Sequence, residues 1–385
     1  MPYAQGRTFL DADSHVMELP GFLRDHADPA VRARLPEISF ASGGKLKDAV
    51  EEMGARTGHP EAWVEELIRL GDGLIAGPKG YEALGAFNSR ERSRALDLLG
   101  FDRQLVFATF SPGALFPPTI ARDLAAAAAT AHNRAMAAFC ADDPRLIGVG
   151  ATALDDVDAA VAELDRIVAL GLGAVWIPHR TAAGRSPGHS DLDPFWARLA
   201  DAGLPAVLHV GGAALQLPAE WMNTGRPVPT DWLGGGENVR GKDMIALHHA
   251  VETFVGTLVL DGVLDRHRAL RIGVVELGAA WVPSMLRRLD QIAAIWKRSE
   301  PELAALERKP SEQITAQMGF TPYPFEDVAA MIRESNPDLY LFSSDYPHIE
   351  GGRNPLGRFQ ASLEGFGEDV LERFYSGNMA RLIGL

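Results

Sequence analysis

The feature that most limits the fold is a recurrence. Short apolar runs, each long enough for one buried strand, return along the chain with helical patterns between them. Runs at 9–12, 103–110 ("RQLVFATF"), 146–153 ("LIGVGATA"), 173–178 ("GAVWIP"), 205–210 ("PAVLHV"), 271–276 ("RIGVVE") and 338–345 ("DLYLFSSD") read as strands. The clearest helical patterns are "ARDLAAAAATAHNRAMAAFCA", "DDVDAAVAELDRIVALG", "DPFWARLADAG", "HAVETFVGTLVLDGVLDRH" and "WVPSMLRRLDQIAAIWKR", several entered through Asp or closed by Gly as caps require. Strand and helix in alternation predict a parallel β/α fold. Seven strands are readable, and "EQITAQMGF" at 312–320 supplies the eighth, completing an α/β (β/α)8 TIM barrel. The competing open, doubly wound sheet would carry G-x-G-x-x-G after its first strand to bind a dinucleotide, and no such run follows.

Two stretches interrupt the alternation. Residues 36–98, with "LKDAVEEMGARTG" and "WVEELIRLGDG", predict a helical insertion after strand one. Residues 211–243, rich in Gly and Pro and carrying Trp221 and Trp232, predict a long active-site loop after strand five. The whole of 1–385 is expected to be one barrel domain, without internal repeats beyond the alternation itself.

Composition removes several functions. With 385 residues, 46% of them hydrophobic, the chain can bury a large core. A net charge of −14 argues against binding nucleic acid or an anionic membrane surface, since both demand positive charge. Cys140 is the single cysteine, which leaves no disulfide framework or thiolate cluster and fits a reducing compartment. The opening "MPYAQGRTFLDADSH" lacks the basic and apolar segments of a secretory signal, and no run reads as a membrane span. A soluble, cytoplasmic protein acting on a small molecule is expected.

The chemistry concentrates at strand ends. "FLDADSHVMELP" presents Asp11, Asp13, His15 and Glu18 directly after a buried run. Asp13 and His15 are two apart, so an extended backbone turns both to one face. His209 ends the fifth strand and Asp345 the eighth, which in a barrel brings both to the same rim. Two imidazoles and two carboxylates make a nitrogen and oxygen site for one divalent ion, zinc first, with manganese or iron as alternatives. A lone His209 would read equally well as a core histidine, but carboxylates ending apolar runs are costly without a cation or donor. Asp11 is expected to be buried as a supporting acceptor, and Glu18 to be solvated at the rim. His348, Arg180, Trp221 and His248 are expected to line the substrate pocket. His26, His59, His132, His189 and His267 read as structural.

These residues carry a resemblance. From "LDADSHV" through "PRLIGVGATALDDVDAAVAEL", "PAVLHVGG", "GVLDRHRALRIGVVELGAAWVPSMLRRLD" and "LFSSDYPH" to "GNMARLIGL", the chain resembles the amidohydrolase-related branch of the amidohydrolase superfamily. That branch includes aminocarboxymuconate semialdehyde decarboxylase and resorcylate-type decarboxylases. The resemblance implies a (β/α)8 barrel with one divalent metal, its ligands falling on Asp13, His15, His209 and Asp345, and a homo-oligomer such as a dimer. Two departures matter. Where two-metal members carry a bridging lysine, "VWIPHR" has His179, so a bridged pair of metals is not expected. Where the decarboxylases carry a strand-six histidine, this chain has Glu276.

Glu276 therefore orders the readings. Hydrolysis of a small carboxylated, amide or lactone substrate by activated water comes first, with Glu276 or Asp345 as base and His179 orienting the substrate. Non-oxidative decarboxylation of an aromatic or unsaturated acid is the alternative, followed by iron-dependent oxygen chemistry and a catalytically silent partner subunit.

Overall fold

The computed structural model describes residues 1–38, 52, 57–227 and 239–385. Seven strands run parallel in chain order: β1 (Leu10–Val16), β2 (Arg103–Ala108), β3 (Leu146–Ala151), β4 (Ala174–Trp176), β5 (Ala206–His209), β6 (Ile272–Val275) and β7 (Met318–Phe320). The eighth position is filled by 340–346, too irregular for a full ladder. Leu341 N–H donates to the Phe320 carbonyl at 2.9 Å on one side, and Ala12 N–H to the Phe342 carbonyl at 3.0 Å on the other. Parallel bridges from Phe320 to Tyr340 and from Ser14 to Tyr346 close the (β/α)8 barrel.

The expected strand at 312–320 is mostly helix. Pro310–Gln317 is helical, opened by Pro310 in its first turn, and only Met318–Phe320 is strand. The segment still holds its expected place between the sixth strand and the last. Most expected helices appear within a residue or two, including Arg122–Cys140 and Val157–Ala169, the latter capped by the Asp156 side chain on Ala159 N–H. The pattern from 249 breaks into His249–Leu260 and Val263–Arg266, because Gly262 takes a left-handed φ of 72° between them.

Of the insertion expected at 36–98, positions 39–51 and 53–56 lie outside the described residues; the remainder holds the helices Glu61–Arg69 and Ser89–Leu99. Of the loop at 211–243, positions 228–238 with Trp232 lie outside them, and the rest carries one 3-10 turn, Ala219–Met222. One expectation needs correction: Asp243–Leu260 does reach a mean hydropathy of 1.2 over 18 residues, apolar and long enough to cross a membrane by composition alone. Half of that window is buried, and Val251, Val255, Leu258 and Val259 pack into the protein's core.

Apolar packing divides by strand face. Leu10, Leu105, Phe107, Trp176, Val207 and Val275 form the barrel interior, while Val106, Val175, Leu208, Val274 and Phe342 pack outward against the helices. This alternation exposes a bulge in β1. Asp11 pairs with Gln104 and Ser14 with Val106, so Ala12 and Asp13 both stand opposite the single residue Leu105. The extra residue reverses the phase of the strand. Leu10 and Ala12 face inward before it, and after it His15 faces inward beside Phe107; an unbroken strand would have turned His15 toward the helices.

Candidate metal centre

At the C-terminal mouth of the barrel the bulge delivers Asp13 and His15, β5 ends on His209, and Glu276 and Asp345 follow β6 and the eighth segment. Asp13, His15, His209 and Glu276 bring one donor atom each within 4.8 Å of one another, as do His15, Glu276, Asp345 and His348. His15 Nε2 lies 3.2 Å from Asp13 Oδ1, 3.4 Å from Asp345 Oδ1 and 3.8 Å from Glu276 Oε2. His209 Nε2 lies 3.4 Å from both Asp13 Oδ1 and Glu276 Oε2. His348 stacks on His15 with ring centroids 3.8 Å apart and sets Nδ1 3.2 Å from Asp345 Oδ1. All six side chains are buried.

Glu276 and Asp345 both hold left-handed backbone, with φ of 53° and 52°. Such conformations cost on the order of 1–3 kcal/mol in a residue with a side chain and persist only where surroundings enforce them. Here they do. The Glu276 N–H donates to Thr321 Oγ1 at 2.9 Å and its carbonyl accepts the Tyr323 hydroxyl at 2.8 Å; the Asp345 N–H donates to the Asp13 carbonyl at 2.9 Å and its carbonyl accepts the His348 N–H at 2.7 Å. Each turn swings a carboxylate from the strand direction into the mouth.

The electrostatics suit a cation. Burial raises the proton affinity of Asp13, but the His15 and His209 imidazoles outweigh it and hold the carboxyl well below its usual range. Burial first, and then the His348 charge, push His15 well below the ordinary histidine value. A carboxylate kept ionised beside a histidine kept neutral is the state a divalent ion requires of its ligands. His15 Nδ1 and Nε2 are buried without an aligned hydrogen bond, which fits a ligand. The donors are nitrogen and oxygen only, a set for zinc, manganese or iron.

Behind the candidate ligands lies a polar frame. Asp11 is buried, accepting from Ser344 N–H at 2.7 Å, Ser344 Oγ at 2.6 Å and Gln104 Nε2 at 2.7 Å, and burial raises its pKa to about 7. Glu18 is not at a solvated rim as expected; it is fully buried. Its carboxylate accepts the successive N–H groups of Thr109, Phe110 and Ser111 at 2.8–3.0 Å, since the turn after β2 forms a concave anion cradle. That cradle fixes Thr109, whose Oγ1 meets His348 Nε2 at 3.0 Å. Arg92, which sequence reasoning passed over, reaches from Ser89–Leu99 and donates to the carbonyls of His15, Gly85 (2.9 Å) and Tyr346 (3.5 Å). Gly85, at φ 74°, lies so close that a Cβ would sit 2.3 Å from Arg92 Cα. A small, turn-forming residue before a capped helix was the one available signal.

The other expected pocket residues are dispersed. His179 is buried near the cluster, its pKa lowered to about 3 by burial and then by the His209 charge, but it lines a neighbouring cavity. Arg180 is tied to Asp155 at 2.6 and 3.0 Å and to the Phe116 carbonyl at 2.9 Å, facing a different hollow between helices. His248 stacks on Trp281 with centroids 6.0 Å apart, and Trp221 is 66% exposed. His348, by contrast, joins the cluster, because it sits three residues past Asp345 on the turn that aims it.

Comparison with known proteins places this geometry. The chain is 28% identical over 290 residues to the decarboxylase OrsB of Emericella nidulans, covering 73% of this chain and 81% of that one. Its fold is similar to that of the amidohydrolase map2389c of Mycobacterium avium subsp. paratuberculosis K-10, with a TM-score of 0.74, 24% identity, and coverage of 99% of this chain and 100% of that one. It is also similar to 5-carboxyvanillate decarboxylase of Novosphingobium aromaticivorans DSM 12444, complexed with manganese and 4-hydroxy-3-methoxy-5-nitrobenzoic acid, with a TM-score of 0.65, 17% identity, and coverage of 99% and 97%. The amidohydrolase family profile matches residues 82–385, a span that holds His209, Glu276 and Asp345. The chain belongs to the amidohydrolase family and is a (β/α)8-barrel enzyme of that superfamily.

Proposed function

We propose that the chain is a metal-dependent, non-oxidative decarboxylase of an aromatic or conjugated acid, with one divalent ion held by Asp13, His15, His209 and Asp345. The observation that carries this reading is the pair of overlapping buried groups at the barrel mouth, Asp13, His15, His209 and Glu276 in one and His15, Glu276, Asp345 and His348 in the other. The relative named a decarboxylase, matched over 73% of this chain, favours carbon–carbon cleavage over the hydrolysis first expected from Glu276. Manganese, named in the 5-carboxyvanillate decarboxylase complex, displaces zinc as the favoured ion, and a mixed nitrogen and oxygen donor set accepts it.

A divalent ion in this site would supply positive charge to hold the substrate carboxylate and an adjacent oxygen. The remaining work falls to side chains. Loss of carbon dioxide breaks the bond between the ring carbon and the carboxylate carbon and leaves the electron pair on the ring, which must then take a proton. Glu276 carries that proton in this reading, being buried and 3.4 Å from His209 through Oε2. The surrounding burial keeps competing water from the carbanion-like carbon.

The test is to strip the protein, reload it with manganese or zinc, and incubate it with a series of hydroxybenzoates while measuring carbon dioxide and aromatic product. Release of both in equal amounts, greater with manganese, is expected. Cleavage of amides or lactones without carbon dioxide would overturn the reading in favour of hydrolysis.

A further inference from the structure

Away from the metal centre, a cavity of about 440 Å³ lies between the helices Arg122–Cys140 and Val157–Ala169. That volume falls within the roughly 300–1,000 Å³ of small-molecule sites. The two helices meet here on alanine. Ala125, Ala126 and Ala129 line the cavity from the first helix and Ala159, Ala160 and Ala162 from the second, and a methyl group at each position leaves the space between them unfilled. Glu163 ties the helices together beside it, accepting Thr130 Oγ1 and Asn133 Nδ2 at 2.7 Å each. Leu115, Pro117 and Ile120 add apolar surface from the segment before the first helix. None of the clustered side chains at the barrel mouth lines this space.

The charged side chains around it are engaged, with one exception. Arg180 holds Asp155 at 2.6 Å, Arg166 holds Glu163 at 2.7 Å, Asp28 is paired with Arg134 at 2.7 Å, and Asp156 caps its helix on the Ala159 N–H at 3.1 Å. Arg122 is the one charged side chain among the described lining residues that forms no ion pair and no side-chain hydrogen bond. It is exposed at the start of its helix, and its field reaches Asp155, which Arg180 already holds. The cavity thus joins an apolar space to a single open guanidinium.

We infer that this cavity is a second small-molecule site, which takes an apolar monoanion: an acid whose hydrocarbon body lies between the helices and whose head group pairs with Arg122. A cationic ligand would meet carboxylates that are already bonded, and a second negative charge would find no second open cation. The site stands apart from the metal centre and does not depend on the reaction proposed there.

The experiment is a fluorescence titration of the manganese-loaded full chain with anilinonaphthalene sulfonate, a fused-ring probe with one negative charge. About one probe per chain should bind in the cavity. Decanoate should displace it at least about tenfold better than decylamine, which has a matching body and the opposite charge. Arg122→Gln should weaken decanoate about threefold to fivefold and leave decanol unchanged, a split that a merely structural arginine would not give. Ala126→Phe, and Ala159→Phe as a second filling change, should weaken probe and acid about tenfold or more. His209→Ala, which loses the ion, should bind decanoate undiminished. Equal displacement by decanoate and decylamine, or full binding in both filled variants, would overturn the inference. Loss of decanoate binding in His209→Ala would place the acid on the metal and overturn it as well.

Discussion

The two sides of the barrel mouth are built differently. On the side of β1 and the eighth segment, polar bonds fix the backbone that carries the candidate ligands: Asp11 gathers Ser344 and Gln104, His15 N–H donates to the Tyr346 carbonyl at 2.8 Å, and Arg92 clamps the backbone from outside. On the side of β5, His209 is seated among rings, 4.4 Å from Phe107 and 4.8 Å from Trp176 by centroids, with Nδ1 on the Val210 carbonyl at 3.0 Å and Nε2 3.4 Å from Asp13 Oδ1. A network of buried polar groups strands several partners when broken, whereas truncating a side chain seated among aromatics leaves a cavity and strands fewer polar groups. The first side should therefore govern stability, and the second the chemistry and the choice of substrate.

That contrast can be broken most directly at His209. His209→Ala should take manganese content from about one per chain to near zero, and turnover should fall by more than the roughly 10–100-fold typical of groups that only support a ligand. Circular dichroism should still show a folded barrel. If the variant unfolds instead, the β5 side is as structural as the β1 side and the distinction fails.

Arg92→Met probes the other side. It strands the buried carbonyls of His15, Gly85 and Tyr346, and urea denaturation should report a loss of about 3–5 kcal/mol. A loss below about 1 kcal/mol would mean that the clamp is dispensable.

A smaller effect tests whether acid lability comes from the metal centre at all. His132, buried on Arg122–Cys140 against Ser111 Oγ at 2.7 Å, has its pKa lowered to about 4 by burial. The unfolded chain takes up a proton near pH 6.5 and the folded one near 4, so stability should fall as pH drops through that window, by about 3 kcal/mol in all. His132→Gln should flatten this slope in denaturation curves taken across pH 4–7. An unchanged slope would return the lability to the carboxylates and imidazoles of the mouth.

The clustered side chains were legible because each ends or follows a strand whose apolar run announces it. His209 and Asp345 required only the strand order, and the barrel closed them onto one rim. The bulge was not legible. "LDADSHV" alternates evenly, and by spacing alone Asp11 would share a face with Asp13; the shift in register comes from pairing with β2, more than ninety residues away in sequence. Glu18 was misread for a related reason, since the N–H groups that receive it lie at Thr109 to Ser111. The last strand of the barrel read as regular, but the turn that aims Asp345 left it with bridges and single bonds in place of a ladder. The side chains expected around the substrate lie apart from the cluster, His348 excepted. Arg180 has the right chemistry, but Asp155 takes it, and a local ion partner across 25 positions leaves no periodic trace.

The closure between β1 and the eighth segment also sets an order of events during synthesis. Asp11 and Ser344 are 333 positions apart, so the first strand to leave the ribosome waits for almost the last before its carboxylates are framed. Until then Asp11 lacks Ser344, and the backbones of Asp13 and His15 lack their partners at Asp345 and Tyr346. Ion capture by the finished geometry would therefore come at the end of translation, and a ribosome stalled before position 340 would carry a nascent chain with Asp13, His15 and His209 but without Asp345, and no closed barrel to hold them.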